Sequence, residues 1–290
     1  MDNLEFETRR VDVRNLEELI DITKSVGWEY GEIYWRVILA CSTGYAVYHL
    51  SGEMAGCAFA VKFGAGRGNI GVVIVRPEYR GKGIASHMMD LAEGHILENG
   101  KGTVTLVATE DGYPVYEHRG YEVISKCYEM FSRSEEKRGE VPHLPNVRFS
   151  SISDKNFSDV LLFDKREFAE DRSHGLTALR EASISSVVLN DVGTGEILGF
   201  GIIYPRADML KIGPVVAKEQ AQAEAIVKML SYGKQGIIRT DVFAHQPGYI
   251  EFLKSLGFND DWNSTVMALN GHKGLVDLPG VFSIGAQTVG

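Results

Sequence analysis

The sequence predicts an α/β protein made of two consecutive repeats of one strand–helix order. Three observations predict it. An apolar strand, Val72-Val73-Ile74-Val75, runs through a proline into a glycine-rich turn and then a helical run. The elements read from residues 146–270 follow the same order as those of residues 1–132. Short matches fall at a period of roughly 140 residues: Met54-Ala55-Gly56-Cys57-Ala58 with Ile197-Leu198-Gly199-Phe200-Gly201, and Arg119-Gly120-Tyr121 with Leu256-Gly257-Phe258.

In the first repeat, residues 6–11 read as a strand. Asn15 reads as an N-cap with Glu18 as its capping-box partner, before the helical stripe Leu16, Leu19, Ile20 and Ile22. A second helix covers residues 32–40. Strands follow at 44–50, 54–63 and 69–75, then a helix over 84–97, a strand at 103–108, a short helix over 113–119 and a strand from 121 to 131. Residues 133–145 are charged, carry two prolines and read as a linker.

The second repeat gives a strand at 147–150, helices over 154–163 and 172–182, and strands at 185–189, 196–204 and 210–215. A helix over 219–232, a strand at 237–243, a helix over 248–256 and a strand at 258–269 complete it. Residues 271–290 read as an irregular tail.

Composition narrows the function. A formal charge of −9 over 290 residues disfavours a nucleic-acid binder, which needs a basic face. The three cysteines, Cys41, Cys57 and Cys127, lie far apart and form neither a zinc motif nor a disulfide framework, so no metal is expected. The charged N-terminal residues lack an apolar signal core, and no run of about 18 apolar residues occurs, so the expectation is a cytoplasmic protein with no membrane contact, a monomer or homodimer.

The turn Arg80-Gly81-Lys82-Gly83-Ile84-Ala85-Ser86 sits at a helix start, where backbone N–H groups have no helical partner and attract an anion. Gly81 and Gly83 lack Cβ atoms, so a phosphate can come close. A dinucleotide fingerprint needs a third small residue where Ser86 stands and an acidic residue about 20 positions on; a Walker A loop needs Ser or Thr after Lys82. Neither pattern is met. Trp28, Tyr30, Tyr34 and Trp35 make an aromatic connection that reads either as core or as the wall of an acceptor pocket.

With the fuller pattern Val75-x-Pro77-x-x-Arg80-Gly81-x-Gly83-x-Ala85, residues 72–85 resemble motif A of the GNAT (Gcn5-related N-acetyltransferase) superfamily. Val115-Tyr116-Glu117-His118-Arg119-Gly120-Tyr121 is similar to that superfamily's motif B, and the two come in its order. The tandem arrangement resembles the YitH-like proteins, which join a catalytic GNAT domain to a diverged copy. Asp171-Arg172 and Ile212-Gly213-Pro214-Val215-Val216-Ala217 look like that copy.

The resemblance implies two α/β domains, each a mixed and mostly antiparallel sheet with helices on both faces: a catalytic domain over 1–132 and a degenerate one over 146–270. It implies acetyl-CoA as co-substrate, with the backbone of Val73, Ile74 and Val75 along the pantetheine arm and the amides of residues 81–86 (Gly81, Lys82, Gly83, Ile84, Ala85, Ser86) on the pyrophosphate. Arg80 and Lys82 add charge there, unless Arg80 braces the loop. Thr109 stands where the family often has an asparagine that bonds the arm. The implied reaction is direct attack by a neutral amine, with the Val75 amide polarising the thioester oxygen and Tyr116 supplying a proton to the leaving thiolate. Tyrosine suits that step because its ordinary pKa near 10 keeps it protonated at neutral pH.

Trp28, Glu29 and Tyr30 are the acceptor-side candidates. Glu29, Glu53, Glu110 and Asp111 are the carboxylates nearest to the implied cleft, each reading first as a solvated loop charge. The acceptor is an amine of a small molecule or, alternatively, of a peptide or protein; a non-catalytic acyl-CoA-binding module is the reading from another class. The second copy has no Gly-x-Gly after Pro214 and has Leu253 where the first has Tyr116, so no catalysis is expected there.

Overall fold

The computed structural model describes residues 5–64, 67–97, 100–133, 143–272 and 276–290. The predicted linker lies largely outside these residues, at 134–142. The first repeat runs β1 (Phe6–Val11), α1 (Leu16–Ser25), α2 (Glu32–Cys41), β2 (Thr43–His49), β3 (Met54–Phe63), β4 (Arg67–Val75), α3 (Ile84–Ile96), β5 (Thr103–Ala108), α4 (Tyr113–His118) and β6 (Glu122–Ser132). The second runs β7 (Val147–Ser150), α5 (Phe157–Phe168), α6 (Ser173–Ala182), β8 (Ser185–Asp191), β9 (Ile197–Arg206), β10 (Met209–Ala217), α7 (Gln220–Ser231), β11 (Ile238–Phe243), α8 (Pro247–Ser255) and β12 (Phe258–Leu269). The stretch expected to be an irregular tail carries a further strand, β13 (Val281–Ser283).

Two helix starts differ from the sequence reading. Asn15 does not cap α1. Asp12 caps a 3-10 turn ahead of it, accepting from Arg14 N–H at 2.9 Å, and Asn15 closes that turn by accepting from Asp12 N–H at 3.1 Å. Residues 154–156 stay out of α5 because Asn156 Oδ1 accepts from Ser153 N–H at 2.8 Å, a local side-chain bond that competes with the helix.

All the strands belong to one sheet, in the order β1-β2-β3-β4-β5-β12-β6-β11-β10-β9-β8-β7, with β13 set beside β10. The pairs are antiparallel except β4 with β5 and β10 with β11. The last strand of each repeat has crossed over: β12 pairs with β5 of the first repeat, and β6 with β11 of the second. The two meet in the middle, where Cys127 faces Ser264. The offset that sets Gly257 against Gly120 also sets Ser264 against Cys127, so the repeats are related by a pseudo-two-fold axis at this pair.

One face of the sheet carries α1, α2, α5 and α6; the other carries α3, α4, α7 and α8. Trp35 is fully buried in the first layer with its ring 5.2 Å from Phe59. Truncating an aromatic so placed costs about 3–5 kcal/mol. The same cluster takes in Tyr204 and Ile202 of β9 and Val281, Ile284, Ala286 and Val289 after β12, so one apolar core spans both repeats.

Candidate active site

The site begins at an irregularity in β4. Val72 has φ +53°, and the ladder with β3 shifts register between its pairs Cys57–Ile74 and Phe59–Gly71. On the other edge, β4 pairs with β5 only from Arg67–Thr103 to Ile70–Leu106. Past that rung the strands part, and Val73 and Val75 have no strand beside them on that edge among the described residues. Arg76 N–H donates to Ala55 O of β3 at 2.9 Å. Successive N–H groups of a strand point to alternate edges, so the amides of Val75 and Val73 face the opening.

At the C-terminal end of β4 the chain makes a 3-10 turn over Pro77–Tyr79 and reaches α3 through Gly81 and Gly83, both with φ +77°. Such a backbone is costly for any side chain but glycine. Space is open at both positions, with no atom within 4 Å of where a Cβ would lie. None of the amides of residues 81–86 donates to another backbone group among the described residues, so a row of N–H groups faces solvent at the helix start. Lys82 Nζ is 3.8 Å from Glu5 Oε2 and lies over the rings of Phe6 and Tyr79, at 5.4 and 6.0 Å. Arg80 spans the mouth between the strands: Nε reaches Val75 O at 3.4 Å and a terminal nitrogen reaches Asp111 at 3.5 Å. These contacts agree with a loop brace.

Tyr116 stands on the α3 face in the cluster that holds Ile70, Leu106, Ala108 and Met89, with Val73 packed against it. Tyr116 and Val73 thus belong to one apolar cluster on that face of the sheet. Burial pushes the Tyr116 hydroxyl up to about 12, and it makes no hydrogen bond among the described residues. The group stays a neutral donor throughout the neutral range. Short α4 is held by its neighbours: Thr109 Oγ1 accepts from Gly112 N–H at 3.2 Å, and Arg119 bridges to Asp90 and Glu93 of α3, each at 2.6 Å. Thr109 thus serves the entry to α4 rather than facing free into the opening.

The acceptor-side candidates fall at the seam between the repeats. Trp28 stacks on Tyr30 at 5.8 Å, Tyr30 meets Tyr34 edge-on at 4.7 Å, and Tyr34 stacks on Tyr204 at 6.4 Å. The Arg206 guanidinium lies over Tyr30 and Tyr34, at 5.2 and 4.9 Å. Burial raises the pKa of Tyr30, with Arg206 opposing it. Glu29 is exposed, as is Glu110. Glu53 is committed to Tyr79 Oη, which donates to it at 2.7 Å.

Sequence reading missed the buried charges beside this seam. Asp241 accepts from Arg239 Nε at 2.7 Å and pairs with Lys211 at 2.9 Å, while Arg239 pairs with Glu129 at 2.7 Å. Glu129 also accepts from Gln287 at 2.8 Å. The signal was present in Arg239-Thr240-Asp241, because a strand's period of two puts both charges on one face. A cavity of about 30 Å³ lies on the same side of the sheet, bounded by Asn69, Thr105 and Val107 of β4 and β5 and by Val281, Ile284 and Gln287.

The second repeat holds the matching strand edge in a filled form. Ile212-Gly213-Pro214-Val215-Val216-Ala217 aligns with Ile70-Gly71-Val72-Val73-Ile74-Val75. β10 likewise pairs with β11 only to Ile212–Thr240, shifts register against β9 next, and then parts from β11. Here β13 lies in the opening: Val215 pairs with Ser283, Val216 with Val281, and Ala217 N–H donates to Gly280 O at 2.9 Å. Ser283 Oγ accepts from Thr240 at 2.9 Å and lies 3.3 Å from Tyr249 Oη. At the start of α7 a carboxylate, Glu219, holds the N-cap position in place of glycine.

Two family models match the chain: an acetyltransferase (GNAT) family over residues 14–121 and an acetyltransferase (GNAT) domain over residues 160–278. The uncharacterized N-acetyltransferase YitH of Bacillus subtilis (strain 168) is 26% identical over 246 residues, covering 84% of each chain. Among solved structures, a Pyrococcus horikoshii protein superposes with TM-score 0.78 at 18% identity, over 100% of this chain and 98% of that one. A tandem GNAT protein from the clavulanic acid biosynthesis pathway superposes with TM-score 0.66 at 14% identity, over 91% of this chain and 98% of that one. At these identities the structural likeness speaks for the fold alone.

Proposed function

Since the chain belongs to the GNAT acetyltransferases, as two tandem domains, we propose that its first repeat moves an acetyl group from acetyl-CoA to the amine of a small molecule. The observation that carries this reading is the contrast between β4 and β10. The edge of β10 accepts an added strand of this chain, and among the described residues the matching edge of β4 is open beside a turn of amides that donate to no backbone group. An extended, amide-bearing arm ending in phosphates suits that pairing, by strand addition along the arm and by helix-start amides at the phosphates.

Acetyl-CoA supplies the acetyl group as a thioester. In this reading the amides of residues 81–86 hold the pyrophosphate, and the Val75 N–H holds the arm. Val75 is the residue of β4 nearest to the turn, whereas the thioester is the end of the arm farthest from the phosphates. The polarising role therefore moves from Val75 to Val73, whose amide faces the same opening deeper in. The amine nitrogen bonds to the carbonyl carbon, the C–S bond breaks, the Tyr116 hydroxyl gives its proton to the departing thiolate, the nitrogen releases its proton to solvent, and the Tyr116 phenolate regains one from solvent.

A small amine is favoured over a peptide because residues 276–290 and the Tyr30–Tyr34 cluster pack into one apolar layer over the acceptor face. Thermal denaturation with acetyl-CoA, ATP and NAD tests the donor: acetyl-CoA raises the midpoint and the other two do not, whereas an equal rise with ATP refutes the reading. Release of CoA across a panel of small amines and lysine peptides then identifies the acceptor.

A further inference from the structure

After β13 the chain leaves the second repeat's opening and crosses to the first. Residues 285–290 form a compact turn, closed by Gly285 N–H to Gly290 O at 3.0 Å and by Gly290 N–H to Ala286 O at 2.9 Å. Gln287 anchors it to Glu129 of β6. This turn sets Thr288 flat against Gly71 of β4. A Cβ on Gly71 would collide with Thr288 Oγ1 and come within 2.8 Å of both its Cβ and Cγ2. Thr288 is 3% exposed, and its hydroxyl has no hydrogen-bond partner among the described residues.

Gly71 is the first residue past the last rung between β4 and β5, so it marks the closed end of the opening. An arm anchored at residues 81–86 and laid along β4 brings its acyl end to this point, since the strand covers roughly 13 Å from Val75 back to Gly71. The side chain nearest to that end on the acceptor face is Thr288. No residue of β4 supplies it, because Gly71 has none, and it comes from a segment beyond both repeats.

We propose that Thr288 is a specificity-determining residue for the acyl donor: packed on Gly71, it walls the closed end of the first repeat's opening and limits the acyl group to acetyl size. This rests on the acetyl-CoA reading above. Adding methylenes against such a wall is discriminated about tenfold or more.

The test is calorimetric binding of CoA, acetyl-CoA and butyryl-CoA to the full chain, which needs no acceptor. The wild type binds acetyl-CoA at least about tenfold more tightly than butyryl-CoA. Thr288→Ala brings the two within about threefold, and Thr288→Val, which keeps the branched shape of threonine, keeps the wild-type gap. Equal binding of the two donors by the wild type overturns the proposal, and this arm needs no variant to fold. An unchanged gap in a folded Thr288→Ala protein overturns it as well, while leaving the acetyl-CoA reading standing. If no CoA species binds the wild type, the acetyl-CoA reading falls and takes this proposal with it.

Discussion

Val215 of β10 is paired with Ser283 of β13, while Val73, at the same place in β4, has no strand on that edge among the described residues. One chain thus carries two versions of one opening, one filled from within. The filled one is built for its occupant, since a Cβ on Gly213 would collide with the carbonyl oxygen of Ile284. The expected stoichiometry is one acetyl-CoA per chain, read by isothermal titration. Gly213→Ala lowers the unfolding free energy by about 2 kcal/mol or more through overpacking but leaves acetyl-CoA affinity within about twofold. A stoichiometry of two would refute this account of the second repeat.

Gly83 combines an open surrounding with φ +77°. Alanine there meets no atom, so Gly83→Ala pays only the left-handed backbone cost, about 1–2 kcal/mol of stability. Gly83→Asp adds a negative charge where the phosphates are held and weakens acetyl-CoA binding by about a hundredfold. Affinities within threefold of the wild type would remove this turn from the site.

Tyr116→Phe keeps the ring in its apolar cluster and deletes only the proton donor. Turnover falls by about 10² to 10⁴ while acetyl-CoA affinity stays near the wild-type value. The wild type carries a pH signature as well. Because burial raises the folded-state pKa to about 12 from the ordinary tyrosine value of 10.0, the stability gained by keeping the phenol neutral is complete below pH 10 and lost as pH climbs to 12. Turnover accordingly shows no fall attributable to Tyr116 between pH 8 and about 11; a descending limb in that range that disappears in Tyr116→Phe would contradict the assigned pKa.

Local signals carried the fold far. The apolar strand, the glycine pair and the match of Gly120 to Gly257 each have a short-range cause, and the strand–helix order followed from them. The exchange of β6 and β12 was not legible, because both strands have the same pattern whichever neighbour they join, and the crossing shows only in the long-range pairing of β12 with β5 and of β6 with β11. β13 stayed hidden for a similar reason: three residues carry no period, and Ser283 is buried by Thr240 and Tyr249, far away in sequence. On the site, the turn and Tyr116 were legible as motifs. The positions of Thr288, Arg206 and Glu129 depend on the second repeat folding over the first.

The buried charges beside the seam give a pH signature. Burial works to raise the Asp241 pKa, but Arg239 and Lys211 outweigh it and hold the carboxyl below its usual range. Burial lowers Lys211 from 10.5 to about 8, with Asp241 opposing; their ion pair is close, at 2.9 Å, but poorly directed as a hydrogen bond. Below pH 8 the lysine is charged in both folded and unfolded chains, and its burial cost is fully felt. Between pH 8 and 10.5 the folded chain binds fewer protons than the unfolded one, so this group makes stability rise with pH, by up to about 1.4 kcal/mol per unit. In Lys211→Met that contribution is absent, so the variant's stability relative to the wild type declines from pH 8 to 10 in urea unfolding. Asp241→Asn, which leaves Lys211 without its buried counter-ion while Arg239 keeps Glu129 at 2.7 Å, costs about 3–5 kcal/mol at pH 7. A pH-independent difference between the wild type and Lys211→Met would show that Lys211 keeps an ordinary pKa despite its burial.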